Sequence, residues 1–151
     1  MTAIHSTTPD TVLVAIDIAK HRHEVLIAIP GKKRRKRMTI LSNKTDHERL
    51  VSFLSGLGKQ VQIGFEPTGN YHRTLAWFLH QAGFELRLIS SVALARTREA
   101  MFGTWDKNDP KDAQVILHML SLGQSLPFMD PLVEHINDIQ ELSKTHEIVL
   151  T

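Results

Sequence analysis

The strongest constraint on the fold is an uninterrupted apolar run at residues 12–16 (VLVAI) that leads directly into Asp17. A run of apolar and β-branched residues of this length predicts a strand that is buried on both faces of a sheet. Asp is depleted in such strands, and a carboxylate at the inner end of one is costly to bury unless it is paired or bound. We therefore expect Asp17 to have a partner or a ligand.

The composition is that of an ordinary globular domain. The chain has 151 residues, of which 42% are hydrophobic and 23% charged, and this suits one domain with a substantial core. The absence of cysteine excludes disulfides and thiolate metal sites. No apolar stretch approaches the roughly 18 residues that a membrane span requires, and residues 1–10 lack the apolar region of a signal peptide. We expect a cytoplasmic protein with no membrane partner.

Positive charge is concentrated in one run of adjacent residues, although the net charge of the whole chain is only +2. The run consists of Lys32, Lys33, Arg34, Arg35, Lys36 and Arg37. Adjacent like charges repel one another unless a polyanion neutralises them, so contact with a nucleic-acid backbone is one interpretation. A solvated hairpin tip is the other.

The remaining patterns predict an α/β domain. Strands are predicted at residues 12–18, 21–29, 38–41, 61–66 and 84–89. The first three are joined by short turns and form an antiparallel meander, with Pro30 and Gly31 in the second turn. Helix–strand alternation follows, which gives a mixed five-stranded sheet flanked by helices.

Helices are predicted to begin near residues 45, 71, 92 and 109, and an extra C-terminal helix is predicted from residue 134. These elements divide the chain into three parts. The parts are a flexible lead-in at 1–11, a main domain at 12–123, and a segment at 124–151. We interpret this last segment as a linker and the start of a helix that leads toward a further domain.

Two of the predicted strands end in a carboxylate, and a late helix begins with two more. Asp17 and Glu66 end the first and fourth strands, while Asp109 and Asp112 can face one way from a first helical turn. Clustered carboxylates repel one another unless a cation balances them, and such oxygen ligands select Mg²⁺ or Mn²⁺. Bound metal ions stabilise the attacking and leaving oxygens of phosphoryl transfer, so the pattern predicts nucleic-acid strand cleavage or joining.

Most of these carboxylates also have a structural explanation. Asp109 can be a helix N-cap with Pro110 at the next position, and the helix dipole favours Asp112 in the first turn. Glu66 can be a turn residue before Pro67. Asp17 is harder to explain without a ligand.

Several cationic residues near these carboxylates are further candidates. Lys20 can approach a scissile phosphate or balance the carboxylates, and Lys107 can contact phosphate, but each can equally be a solvated surface lysine. Arg96 and Arg98 can add to a basic surface. His21 and His23 lie near Asp17 in the sequence, but nothing in the pattern favours them as metal ligands.

Three sequence blocks resemble one known family. AIDIAK at 15–20, FEPTGNY at 65–71 and KNDPKDA at 107–113 are similar, in order and spacing, to the N-terminal domain of the IS110-type transposases, which include the Piv-type DNA invertases. The resemblance covers about residues 12–123. It implies a RuvC-like domain with an RNase H-like fold and an Asp-Glu-Asp-Asp tetrad. The resemblance places that tetrad on Asp17, Glu66, Asp109 and Asp112.

The resemblance also implies an activity and partners. Enzymes of this family recombine DNA at insertion-element ends, many of them with a structured noncoding RNA, and they carry a second domain with a serine nucleophile. We therefore expect a recombinase domain that uses Mg²⁺ or Mn²⁺, acts on DNA with a guide RNA, and forms a dimer or tetramer near the nucleoid. The predicted last helix would lead to the second domain, without which the reaction would be incomplete.

Three other functions fit parts of the sequence. A nucleic-acid docking module would use the basic run, and its carboxylates would be structural. A Holliday-junction-type nuclease would use the same four carboxylates. A sugar-kinase or actin-like ATPase also begins with a strand that ends in Asp, but the sequence lacks the later Gly-rich adenosine-binding turns and a second duplicated half.

Overall fold

The described part of the chain folds into one sheet with helices on both of its faces. A computed structural model describes residues 10–101, 103, 110–130 and 133. The strands are β1 (Val12–Asp17), β2 (Arg22–Ala28), β3 (Lys36–Leu41), β4 (Val61–Phe65), β5 (Glu85–Leu88) and β6 (Leu126–Pro127). The helices in these residues are α1 (Lys44–Ser55), α2 (Arg73–Gln81), α3 (Ser91–Ala100) and α4 (Lys111–Ser121).

The sheet is mixed, with the strand order β3-β2-β1-β4-β5-β6. The first three strands pair antiparallel, and Asp17 of β1 lies opposite Glu24 of β2. On its other side β1 pairs parallel with β4, with Ile16 beside Phe65, and β4 pairs parallel with β5. The predicted meander and mixed α/β sheet are therefore confirmed, and the arrangement is compatible with an RNase H-like fold.

Alternation along β1 sends successive side chains to opposite faces of the sheet. Val14 and Ile16 belong to the apolar cluster that α1 and α2 cover. Ala15 belongs to the second cluster, which is formed with α3 and α4. By the same alternation, Asp17 faces the side on which α4 packs, which we call the α4 side.

α4 approaches the sheet closely because small residues lie beneath it. Ala15 and Gly64 are neighbours in the parallel β1–β4 register, and both lie on the α4 side. A Cβ atom on Gly64 would lie 2.7 Å from Leu120 Cδ2, closer than real Cβ contacts come. Glycine is therefore required here by the close approach of α4, a common reason for glycine within a strand.

The sheet has one strand more than the five that the sequence predicts. Arg87 holds β6 in place, since its Nε donates to Ser125 Oγ and its Nη2 donates to the Ser125 carbonyl oxygen, each at 2.9 Å. Phe128 is buried just beyond, with its ring centroid 5.0 Å from that of Phe65. Pro127 is acceptable because edge strands tolerate proline. A two-residue strand has no periodicity to detect, so the sequence pattern missed it.

Some predicted elements fall outside the described residues. These include most of the 1–11 lead-in and the extra C-terminal helix from residue 134. Among the residues that the structure does describe, no helix has the length and apolar character needed to cross a membrane.

Candidate carboxylate site

A row of acidic side chains crosses the α4 side of the sheet where β1 and β4 end. Asp17 lies opposite Glu24, and Glu24 lies opposite Thr39 of β3. Ile16 pairs with Phe65 at the end of the parallel register, and the residues that follow them, Asp17 and Glu66, interact electrostatically. Paired residues of neighbouring strands share a face of the sheet. Glu66, Asp17 and Glu24 therefore form one line, which we call the carboxylate row.

Asp17, in the middle of this row, has the most perturbed environment. Its pKa is raised from 3.8 to about 6, mainly by burial and then by the charges of Asp112, Glu24 and Glu66, while the charge of Arg98 opposes the shift. Burial and neighbouring anions both disfavour the ionised form of a carboxyl group. A bound cation would relieve both effects, which is why perturbed carboxyl clusters are typical of functional sites.

Asp112, in the first turn of α4, is paired with an arginine of the neighbouring helix. Arg98 of α3 places its Nη2 2.9 Å and its Nε 3.0 Å from Asp112 Oδ1. Both side chains are half-buried, and the guanidinium balances part of the negative charge around Asp17. The sequence predicted only a general basic surface for Arg98, whereas its position at the site follows from the packing of α3 beside α4.

Glu24 is a member of the carboxylate row that the sequence analysis missed. Its Oε1 accepts a hydrogen bond from Thr39 Oγ1 at 3.1 Å, and its Oε2 lies 3.6 Å from Arg22 Nε. A signal was present in the sequence. A tight turn centred on Lys20 and His21 places Glu24 and Asp17 at equal distances from the turn, and hence opposite each other.

Glu66 lies where β4 ends and the loop before α2 begins. The Ile89 amide donates to the Phe65 carbonyl oxygen at 3.0 Å, which fixes the end of β4. Thr68 Oγ1 donates to the Glu66 carbonyl oxygen at 3.3 Å, and Gly69 has a φ of +54°, a backbone conformation that suits glycine. The loop therefore turns away sharply after Glu66, and the carboxylate stays at the end of the sheet.

Two buried histidines support the turn after Asp17 from the opposite face. His23 Nδ1 accepts a hydrogen bond from the Ala19 amide at 3.2 Å, and its Nε2 lies 3.1 Å from Ser42 Oγ. The ring of His47 lies behind it, with the two centroids 6.4 Å apart. Burial lowers the pKa of each histidine to about 4. His23 therefore braces the backbone beyond Asp17 and faces away from the carboxylate row.

The other predicted site residues are spread over the surface or lie beyond the described part. Lys20 is exposed in the turn after β1, and residues 32–37 are all exposed around the β2–β3 turn. Asp109 and Lys107 lie outside the described residues. The structure therefore brings Asp17, Glu66 and Asp112 into one electrostatic environment.

The donor set at this site fits a hard cation, although a complete ligand group is not formed by the described residues. All of the charged acceptors are carboxylate oxygens, the ligands that Mg²⁺ and Mn²⁺ prefer. In the described ranges, no group of three or more His, Asp or Glu side chains is arranged so that it could hold a metal ion. The chemistry of the site is thus that of an anionic cluster whose fourth predicted carboxylate, Asp109, lies beyond the described ranges.

Comparison with families of known proteins gives a match across most of the chain. A family model for DEDD transposases of the IS110 type, described as a transposase, matches residues 14–150. A search of the curated proteins found no match to this chain.

Proposed function

Because the chain belongs to the IS110-type DEDD transposase family, we propose that it is a metal-dependent DNA recombinase domain whose carboxylates act in strand cleavage and exchange. The catalytic and metal-binding residues in this proposal are Asp17, Glu66, Asp109 and Asp112. Transposases act on DNA, so DNA is the first partner. A structured guide RNA and self-assembly into a dimer or tetramer are further parts of the proposal.

The observation that carries this proposal is the environment of Asp17. Its carboxyl group is half-buried among the charges of Asp112, Glu24 and Glu66, and its pKa is raised to about 6. An ionised carboxylate in such a place destabilises the fold at neutral pH. A cation-binding role explains why the strand nevertheless ends in this residue.

Each element of the site has a separate task in the proposed reaction. Asp17, Glu66 and Asp112 would hold the cation together with Asp109. When bound, Mg²⁺ or Mn²⁺ polarises a phosphodiester and stabilises the oxygens that enter and leave. Glu24 keeps the row negative, while Arg98 orients Asp112 through their ion pair. Lys20, Lys107 and the run at 32–37 would bind phosphates on either side of the reacting group.

Thermal unfolding with increasing Mg²⁺ or Mn²⁺ tests the proposal. A ligand at 100 times its Kd stabilises the folded state by about 2.7 kcal/mol, and the melting temperature should rise by several degrees. Asp17→Ala should abolish the shift. Glu48→Ala, which removes an exposed carboxylate of α1, is the matched control and should retain it. Absence of a metal-linked shift in the unmodified protein would refute the proposal.

A second candidate is a nucleic-acid docking module with structural carboxylates. Two observations favour it: the Arg98–Asp112 ion pair already satisfies one carboxylate, and the basic run at 32–37 is exposed. This candidate predicts binding of nucleic acid without metal that survives Asp17→Ala and is lost when the basic run is neutralised. A Holliday-junction-type nuclease would instead require the carboxylates and cleave four-way junctions.

A further inference from the structure

The described residues cover the α4 side of the sheet only in part. α4 packs on β1, β2 and β4. On β3, the side chains of Arg37, Thr39 and Leu41 point to this side and are exposed, whereas Met38 and Ile40 between them are buried toward α1. Within the described ranges, an uncovered strip of sheet therefore begins at the carboxylate row and continues across β3.

Cationic and apolar groups line this strip beyond the carboxylates. Arg22 of β2 lies opposite Leu41 of β3, and Arg37 lies opposite Leu26. The Arg22 side chain is 67% exposed, and Leu41 is 48% exposed. We call the surface formed by Arg22, Arg37, Thr39 and Leu41 the open strip. It combines two guanidinium groups with an apolar contact, which suits phosphates and the sugars or bases between them.

Strand alternation divides the basic run between the two faces of the sheet. Arg37 lies on the α4 side, in line with Thr39. Lys36 points to the opposite side, where its Nζ lies 5.6 Å from the ring centroid of Phe53 in α1. Two adjacent residues of equal charge are therefore separated by the sheet, and only Arg37 shares a face with the carboxylate row.

Side chains of α1 occupy hydrogen-bonding groups along the outer edge of β3. Asp46 Oδ2 accepts from the Leu41 amide at 2.7 Å, and Arg49 Nη2 donates to the Thr39 carbonyl oxygen at 2.7 Å. A protein strand that adds to a sheet edge needs such groups to be available. The open strip therefore favours a partner that contacts side chains on the face of the sheet rather than backbone at its edge.

We propose that a single phosphodiester strand whose backbone reaches the carboxylate row continues over the open strip to Arg37 and the basic run. Two inter-strand steps of about 4.8 Å separate β1 from β3, so one bound strand can span both. This inference rests on the proposed function, because a cation at the row is what lets phosphate approach the carboxylates. The strand can be DNA or RNA, since the contacts described are to features that both share.

A pair of variants tests whether the bound strand lies on the α4 side of the sheet. Their affinities are measured with fluorescent single-stranded oligonucleotides, one of DNA and one of RNA with the same sequence. Arg37→Ala should weaken binding about fivefold and reduce the slope of log K against log salt by about 0.7, as expected for one lost phosphate contact. Lys44→Ala removes one positive charge from an exposed position of α1, on the opposite side of the sheet from the open strip, and should change the affinity less than about twofold. Equal effects of the two substitutions would overturn the inference, and comparison of the two oligonucleotides shows whether the strip prefers DNA or RNA.

A second measurement does not depend on charge. Because the chain contains no cysteine, Thr39→Cys introduces one thiol on the open strip, and Ser52→Cys introduces one at an exposed position of α1 on the other face. A saturating oligonucleotide should slow alkylation of the first thiol and leave the second unchanged. Equal alkylation rates with and without oligonucleotide at both positions would overturn the inference. The Mg²⁺-dependent melting shift would be unaffected by that result, so the two proposals can fail separately.

Discussion

The guanidinium of Arg98 lies 2.9 Å from Asp112 Oδ1, and this ion pair links α3 to the first turn of α4 beside the carboxylate row. It is a contact between a candidate metal ligand and a protein cation. A divalent ion that binds Asp112 therefore has to share or displace this guanidinium. The two cations act on the same negative charge, which includes that of Asp17.

Arg98→Gln should therefore increase the affinity for Mg²⁺. The Arg98 and Asp112 side chains are 39% and 38% exposed, so the pair is worth little more than a surface ion pair, about 0.5–1 kcal/mol. The apparent Kd from Mg²⁺-dependent melting curves should fall about two- to fivefold. Arg96→Gln, at an exposed position two residues earlier in α3, should leave the Kd unchanged. Weaker Mg²⁺ binding by Arg98→Gln would show that the arginine supports metal binding instead.

Asp17→Asn should stabilise the metal-free protein at neutral pH. The folded-state pKa of about 6 exceeds the ordinary value of 3.8, so the destabilisation is small below pH 3.8, grows as the pH rises from 3.8 to 6 and is complete above that. Urea denaturation at pH 7.5 should show a gain of about 2 kcal/mol, and the gain should vanish near pH 4. A loss of stability at pH 7.5 would mean that Asp17 is well compensated within the metal-free fold.

The buried histidines should make the fold sensitive to acid. The folded-state pKa of His23 and of His47 is about 4, below the ordinary 6.5, so their contribution to stability is full above pH 6.5 and is lost as the pH falls toward 4. Each should account for about 2 kcal/mol of unfolding free energy between pH 7 and pH 5.

His47→Leu separates this effect from other acid-sensitive groups. Neither ring nitrogen of His47 has a hydrogen-bond partner among the described residues, so little is lost on substitution. The variant should lose about half of the histidine-linked pH dependence of the urea midpoint. His118→Leu, at an exposed position of α4, should retain the full dependence. An unchanged pH profile in His47→Leu would place the acid sensitivity elsewhere.

The sequence predicted those parts of the fold that have a periodic or motif signal. The apolar run before Asp17 predicted the central strand. Glu66 was expected beside Asp17 because neighbouring parallel strands end at the same edge of a sheet. Glu24 was missed because its role depends on the hairpin register, and residues 19–21 (AKH) contain no glycine, asparagine or proline to mark the centre of the turn. Arg98 was predicted only as part of a basic surface, because its place beside Asp112 depends on the packing of α3 against α4. β6 is held by its pairing with β5 and by two hydrogen bonds from Arg87 to Ser125, and no local sequence pattern shows these contacts.

Gly64→Ala should destabilise the protein although the site residues are unchanged. The new methyl group would lie 2.7 Å from Leu120 Cδ2, and this side chain is fully buried. Overpacking of this kind costs about 1–3 kcal/mol, which urea denaturation measures. Gly64→Ala combined with Leu120→Ala should lose less stability than the sum of the two single substitutions. Strict additivity would contradict the close packing of α4 on β4.

The most direct test of the central claim is the anomalous difference map of crystals soaked in Mn²⁺. The proposed function predicts a peak beside the Asp17 carboxylate, within ligand distance of Glu66 or Asp112, and its loss in crystals of Asp17→Ala. Glu48→Ala crystals should keep the peak. A map with no peak at the carboxylate row, or with a peak that persists in Asp17→Ala, would contradict the claim that this strand end holds the metal.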